Sequence, residues 1–566
     1  MEYDLVRPSF PITQDATSDD CIEFAQALIT ECLENHTECS SPISSRRTRP
    51  SNSNIMSQLQ RGMRDLLHKD DPVPLPTRLL DIGPLGADHI RLIETATSPP
   101  PEGARHACLS HCWGPSQPLT TTTSTLIDRK TSIPWSTLPK TFQDAADFAR
   151  RLSIPYLWID SLCIVQDSKE DWRRESARMA SIYENWFVCL AATASPGHHG
   201  GLYFAQPNPA ASKYVISLKE DGEEHDIFVR TTALRHPEMT RQFPPPGTAV
   251  EKGFPLLQRG WVFQELLLAP RILHFWPHEL YFQCMEMHAC ECGASLRDGI
   301  EKTSHFEALG HGRGFADVNP VDDSDDDDDD DDDDDSHRRR RRRRRQPIDR
   351  KLLGRQQRWR DMVTQYSRLQ LTFGSYRLLA LAGLAKQMMR VRGGKYLAGL
   401  WEDSLFEDLC WEVVKMGPSE PIAAPKDAGA YIAPSWSWAS VLKPVQYGND
   451  LTNRRREREF VPDAKLTSAK VANADAHEPT GQVMSGYLKL SATWTQTYPD
   501  KEKRPQPESR EDVYYVLLAT AGLSVYWLVL ERVDAEHYRR TGFVNGDWTS
   551  GPDGMGGKGR KTFTII

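Results

Sequence analysis

The strongest constraint on the fold is an alternation between His106 and Ser195. Three short apolar runs of strand type, ARHACLSHCW, YLWID and FVCLAATAS, are separated by two segments of helical period. In the first, Thr141 to Leu152 carries Phe142, Ala145, Ala149 and Leu152 on one face, behind a Thr cap with Asp144 three residues on. The second starts near Ser168 and sets Trp172, Met179, Ile182 and Trp186 in one stripe. Strand, helix, strand, helix, strand implies an α/β fold with a parallel sheet, because parallel neighbours need a crossover connection.

The 566 residues are several times the usual domain length, so more than one core is expected. Residues 1–103 read as an N-terminal accessory region, with Ile22, Ala25, Ile29 and Cys32 at helical spacing and two strand-like runs, RLLDIG and IRLIE. Residues 104–300 hold the α/β block and its extension, in which RGWVFQELLLAPRILHFWPHELYFQC supplies a further helix and strand. Residues 317–347 read as a disordered acidic and basic linker, since homopolymer runs of Asp and Arg bury no apolar surface. Residues 348–566 read as a mixed α+β C-terminal domain.

Those charged runs contribute a net −5 to a formal charge of −9, leaving −4 for everything else. No basic face for nucleic acid follows from that remainder. Arg338 to Arg345 is the one feature that points to the nucleus. Eleven scattered cysteines, several inside apolar runs, fit reduced thiols and a cytoplasmic location. The N-terminus has neither the basic start nor the apolar core of a secretory signal. Val513 to Leu530 is uncharged over 18 residues, but Gly522 and its β-branched and aromatic content predict two buried strands, not a membrane anchor.

Several chemistries are excluded by spacing. GPDGMGGKGRK near the terminus has Pro552 where a phosphate loop needs its first glycine, and GHGRGF lacks the third glycine of a dinucleotide fingerprint. No Gly-x-Ser-x-Gly elbow is present. Ser110 and His111 are adjacent on a strand, point to opposite faces and do not form a dyad with each other. Cys284, His288, Cys290 and Cys292 match no common zinc module, so no metal is assigned.

Position is more informative. Ser110, Trp113 and Gly114 follow the first strand of the block and Asp160 ends YLWID, and open parallel sheets bind ligands outside the carboxyl ends of their strands. Asp160 reads equally as a loop cap. Glu175 falls inside the apolar stripe of its helix, where an acid must be paired, protonated or lining a cavity. Arg178 and Arg150 are its expected partners if it is structural.

HACLSHCWG, LPKTFQDA, LWIDSLCIVQD, DWRRESARMASIY, RGWVFQE, YLAGLW and APSWSWAS stand in an order that resembles the fungal heterokaryon incompatibility (HET) family, intracellular proteins of self/non-self recognition and cell death. HET domains are distantly similar to TIR domains, which share a flavodoxin-like α/β fold and some of which cleave NAD at the nicotinamide bond. CLSH resembles the first-strand signature of TIR domains, and Trp172-x-x-Glu175 resembles the segment carrying their catalytic acid. The resemblance implies Glu175 as catalytic acid, with Ser110, Trp113, Gly114 and Asp160 as substrate contacts, NAD as substrate and no bound cofactor. It equally allows a non-catalytic module that self-associates or meets an incompatibility partner protein.

Overall fold

The computed structural model describes residues 16–40, 75–204, 253–277, 279–291, 305, 308–309, 350–415, 425–448, 460–475, 478–496, 512–522, 524–547 and 559–566, with a hairpin at 214–220 and 223–229. The Asp and Arg runs lie outside the described residues, as does Cys292.

The N-terminal half is built on one nine-stranded sheet. Its strands are β1 (Arg78–Asp81), β2 (His89–Glu94), β3 (His106–Ser110), β4 (Ile133–Pro134), β5 (Tyr156–Trp158), β6 (Val188–Ala191), β9 (Arg271–Phe275), β10 (Leu280–Cys284) and β11 (His288–Cys290). A separate hairpin, β7 (Tyr214–Glu220) and β8 (Glu223–Val229), stands apart from it. The spatial order is β11-β10-β9-β6-β3-β5-β1-β2-β4. Only the centre is parallel: β3 pairs in parallel with β5 and β6, and β6 with β9. Both flanks are antiparallel. The expected parallel sheet is therefore corrected to a mixed one, because β1–β2 and β9–β10–β11 are joined by links too short for a crossover. The runs RLLDIG and IRLIE form β1 and β2, integral to this sheet.

Helices α1 (Asp19–Asn35) and α2 (Thr37–Ser40) precede the sheet, and α1 packs on β10 through a face that includes Ile22, Ala25, Ile29 and Cys32. Helix α3 (Lys140–Arg151) connects β3 to β5, α4 (Lys169–Glu184) connects β5 to β6, and α5 (Gly260–Leu268) precedes β9. The Thr141–Asp144 capping box is not formed. Pro139 takes the cap position with no side-chain bond, so the helix begins at Lys140. Thr141 instead accepts from the Gly201 amide at 3.0 Å, and Asp144 accepts from the Leu202 amide at 2.8 Å, fastening the loop after β6.

In the C-terminal half, α6 (Arg350–Tyr366) and α7 (Ala382–Arg392) lead into a small hairpin, β12 (Tyr396–Leu397) and β13 (Leu400–Trp401), and a two-stranded ladder, β14 (Trp411–Val413) and β15 (Val445–Tyr447). Two of the quoted motifs meet here: the Trp438 indole N–H donates to the Gly399 carbonyl at 2.9 Å, and the Ser437 hydroxyl to the Ala398 carbonyl at 2.6 Å. Helix α7 packs on α4 and α5, joining both halves through one continuous core. Gly383 permits that approach, since a Cβ there would stand 2.4 Å from the Ala180 Cβ.

The last unit is β-rich: β16 (Phe460–Pro462), β17 (Lys465–Asn473), β18 (Val483–Thr495), β19 (Val513–Ala521), β20 (Ser524–Arg532), β21 (His537–Asp547) and β22 (Arg560–Ile565). Because β18 also pairs with β19, five of its strands close on themselves. Val513 to Leu530 is the β19–β20 hairpin, turning at Gly522 as its composition predicts. No helix among the described residues is long and apolar enough to cross a membrane.

Candidate functional site at the carboxyl edge of the parallel strands

The four parallel strands stand in the order second, first, third, fourth along the chain. In doubly wound sheets of this order the crevice lies between the first and third strands, here β3 and β6. Strand β3 delivers Ser110 to that edge. Its hydroxyl donates to Oε2 of Glu265 on α5 at 2.6 Å, a contact between residues 155 apart in sequence. Both groups are buried. Tyr183, from α4, also lies close enough to Glu265 to pull its pKa down slightly.

Burial pushes the Glu265 carboxyl up to about 7, against the opposing pull of the Ser110 hydrogen bond and the Arg259 charge. Arg259, just before α5, donates to the His111 carbonyl. The His111 imidazole is buried edge-on against Phe142 at 5.1 Å, with Nδ1 3.9 Å from Asp160 Oδ1. Burial lowers its pKa to about 4, although Asp160 opposes this.

Asp160, at the start of the helical turn after β5, accepts from the Trp113 indole N–H at 2.9 Å and from the Ser161 amide at 2.7 Å. It therefore caps its loop and tethers Trp113 at once. His198 Nδ1 lies 2.7 Å from the Trp113 carbonyl and so carries the proton there. Gly114 has φ +79°, and a Cβ on it would meet the Gly197 Cα at 3.0 Å. Its role is close backbone packing: the loops after β3 and β6 touch there, and only glycine fits.

Glu175 occupies a neighbouring niche on α4 and is fully buried. Its Oε1 accepts from the Thr77 hydroxyl at 2.5 Å and from Arg174 Nε at 3.2 Å. Its Oε2 is buried with no hydrogen-bond partner among the described residues. Neither expected partner pairs with it directly. Arg178 reaches Thr77 Oγ1 at 2.8 Å and the Leu75 carbonyl at 2.7 Å, whereas Arg150 binds the Ile82 carbonyl at 2.9 Å and lies over Trp135. The helix spacing predicted burial correctly, but the i−1 arginine folds back to supply the charge. One turn earlier, Arg78 bonds Asp171 and the Cys163 carbonyl. Cys163 lies between the two niches: burial raises its thiol to about 12, with the charges of Glu175 and Asp160 adding to the effect. Trp172 packs against the core, as the stripe predicts, and stacks on Tyr376 at 4.9 Å.

Four of the sequence-chosen residues, Ser110, Trp113, Gly114 and Asp160, thus converge on the strand ends. Glu265, Arg259 and Tyr183 were not singled out as site residues. A signal for Glu265 existed, since GWVFQELLL carries one acid in a helix that is apolar apart from Gln264. The grouping of Cys284 with His288 and Cys290 is not formed. Cys284 alternates to the opposite sheet face from Gln283, whose partner is His288, and Cys290 packs with Trp276 and Tyr281.

Neither the curated proteins nor the solved structures provide a match to the chain. Residues 106–265 match the family described as heterokaryon incompatibility protein (HET), a segment running from the first residue of β3 to Glu265 itself. The two ends of the matched segment therefore meet in the Ser110–Glu265 contact, and residues 106–265 of the chain form a HET domain.

Proposed function

We propose that this chain is a self/non-self recognition or programmed-cell-death effector whose HET domain cleaves NAD at the nicotinamide–ribose bond. The observation that carries the reading is the convergence of Ser110, Trp113, Asp160, Arg259 and Glu265 at the switch-point edge, flanked by a buried carboxylate, Glu175, with one oxygen unpartnered. TIR-like use of a TIR-like segment is the remaining support. As the C–N bond breaks, positive charge develops at the ribose C1 and nicotinamide leaves neutral. The Glu175 anion stabilises that charge, as carboxylates do in glycoside hydrolysis. Water adds to C1 and yields ADP-ribose. Its proton passes to Glu265, whose pKa of about 7 suits a general base near neutrality. Arg174, whose side chain is half exposed, swings off Oε1 to admit the ribose.

NAD turnover by concentrated purified protein, measured beside the melting temperature, tests this. Glu175→Gln keeps the volume, removes the anion and lowers turnover by about 100-fold or more while the protein stays folded. A folded variant with undiminished turnover sinks the assignment. The second reading, a non-catalytic module that self-associates, is favoured by the closure of Oε1 between Thr77 and Arg174. It expects a wild type that is folded, oligomeric and inactive on NAD, and a Glu175→Gln variant that loses stability.

A further inference from the structure

We propose that Cys32, His36, Cys39 and Cys284 form a structural zinc site that clips the N-terminal helices onto the edge of the HET-domain sheet. The inference is independent of any activity on NAD. Cys32 lies in the last turn of α1, His36 is its C-cap, and Cys39 lies in α2, giving Cys-x3-His-x2-Cys across one helix end. Cys284 comes from the far end of β10, 245 positions beyond Cys39 in the chain numbering. One ligand atom from each of these four residues lies within 4.8 Å of all the others. Cys284 Sγ is 3.3 Å from His36 Nδ1.

These separations suit a tetrahedral ion. Bonds of about 2.3 Å to sulfur and about 2.0–2.1 Å to nitrogen put neighbouring ligands about 3.5–3.8 Å apart, and Cys3His is an established donor set for structural zinc. Three thiolates and a neutral imidazole select Zn2+ over hard cations, which prefer oxygen. Cys32, Cys39 and Cys284 are buried and His36 only partly exposed, so no position stands open for substrate water. That closure marks a structural site, not a catalytic one.

The surroundings are those that thiolate ligands require. The Met287 amide donates to Cys284 Sγ at 3.2 Å, fixing the sulfur from the hairpin turn. Arg271, the cross-strand partner of Cys284, is buried beside the cluster, 3.8 Å from Cys32 Sγ and donating to the Cys39 carbonyl at 3.0 Å. Its charge balances the net −1 that three thiolates leave on Zn2+. Binding releases three thiol protons to solvent as the Zn–S bonds form, with no redox change. A disulfide would consume two of the sulfurs and leave too few donors to hold an ion.

The test is elemental analysis of the full chain purified without chelator. We expect stoichiometric zinc, its loss in Cys39→Ser and Cys284→Ser, and its retention in Cys21→Ala, which alters the same helix outside the cluster. Because a ligand variant can fail to fold, wild-type protein is also stripped with a chelator and refilled with Co2+. The expected result is the visible absorption of tetrahedral thiolate-bound cobalt, together with a melting temperature that falls on stripping and returns with Zn2+ but not Mg2+. Wild type that carries no zinc and gives no such cobalt spectrum overturns the proposal, as does a mass showing two of these cysteines oxidised to a disulfide.

Discussion

Two buried glutamates stand at the same sheet edge, and their surroundings treat them oppositely. Glu175 faces Arg174 and the Thr77 hydroxyl, next to a second ion pair, Arg78–Asp171, so that niche is a network of fixed charges. Glu265 faces hydroxyls of Ser110 and Tyr183 inside an apolar helix, with Arg259 engaged by the His111 carbonyl, and burial dominates. Each acid accepts from a hydroxyl, Thr77 or Ser110, and the difference is that a guanidinium also bonds Glu175 directly whereas Arg259 is turned to a carbonyl beside Glu265. In the Glu265 niche, burial raises the acid toward neutrality.

The largest effect belongs to the charge network. Asp171→Asn removes the carboxylate that pairs with Arg78 and leaves that cation, its side chain 4% exposed, with neutral acceptors only. Stranding a buried cation typically costs about 3–5 kcal/mol. Urea unfolding at neutral pH measures it. A loss below about 1 kcal/mol, the scale of surface pairs, would show that Arg78 finds water and that the niche is not a closed network.

The second effect separates the niches by pH. The folded-state pKa of Glu265 is raised from 4.5 to about 7. Its contribution to stability is thus fully present below pH 4.5 and is lost as pH rises through 7. Above that, the ionised acid costs on the order of 3 kcal/mol. Glu265→Gln removes the titration, so the variant gains on the wild type between pH 4.5 and 7 and the gain levels off beyond. Subtracting the two unfolding curves isolates this group from Asp408, another buried acid raised to about 6. A difference that stays flat with pH would show that burial does not raise the Glu265 carboxyl.

Much of the fold was legible because it is local. The apolar runs at β3, β5 and β6 and the stripes on α3 and α4 follow from periodicity, and Gly522 marks the β19–β20 turn. The sheet's mixed character was not legible, since an apolar strand of four or five residues reads the same in either direction. Thr141 and Asp144 have capping-box spacing, yet Pro139 takes the cap and frees both side chains for a loop some 60 residues away. The site divides the same way. Ser110, Trp113, Gly114 and Asp160 were reachable from strand ends, but the pairing of Ser110 with Glu265 is purely tertiary. So is the meeting of Cys284 with Cys32, His36 and Cys39, whose own spacing was visible but incomplete without a fourth ligand.

The smallest effect tests the contact that joins the ends of the matched HET segment. Ser110 donates to Glu265 Oε2 and so favours the anion, working against burial. Ser110→Ala removes that donor without opening the site, because Ser110 is 1% exposed and alanine is nearly its size. One hydrogen bond to a charged acceptor contributes about 1–3 kcal/mol. The variant should therefore lose on the order of 1 kcal/mol above pH 7, where Glu265 is ionised, and less below pH 4.5, where the neutral acid can turn its own proton outward. Its midpoint in the Glu265-dependent stability profile should move to higher pH. The measurement is the same pair of unfolding series, now on Ser110→Ala and on Ser110→Ala with Glu265→Gln. If the double variant keeps the pH-dependent loss of the single one, Ser110 acts through something other than Glu265, and its hydroxyl does not tune the Glu265 carboxyl.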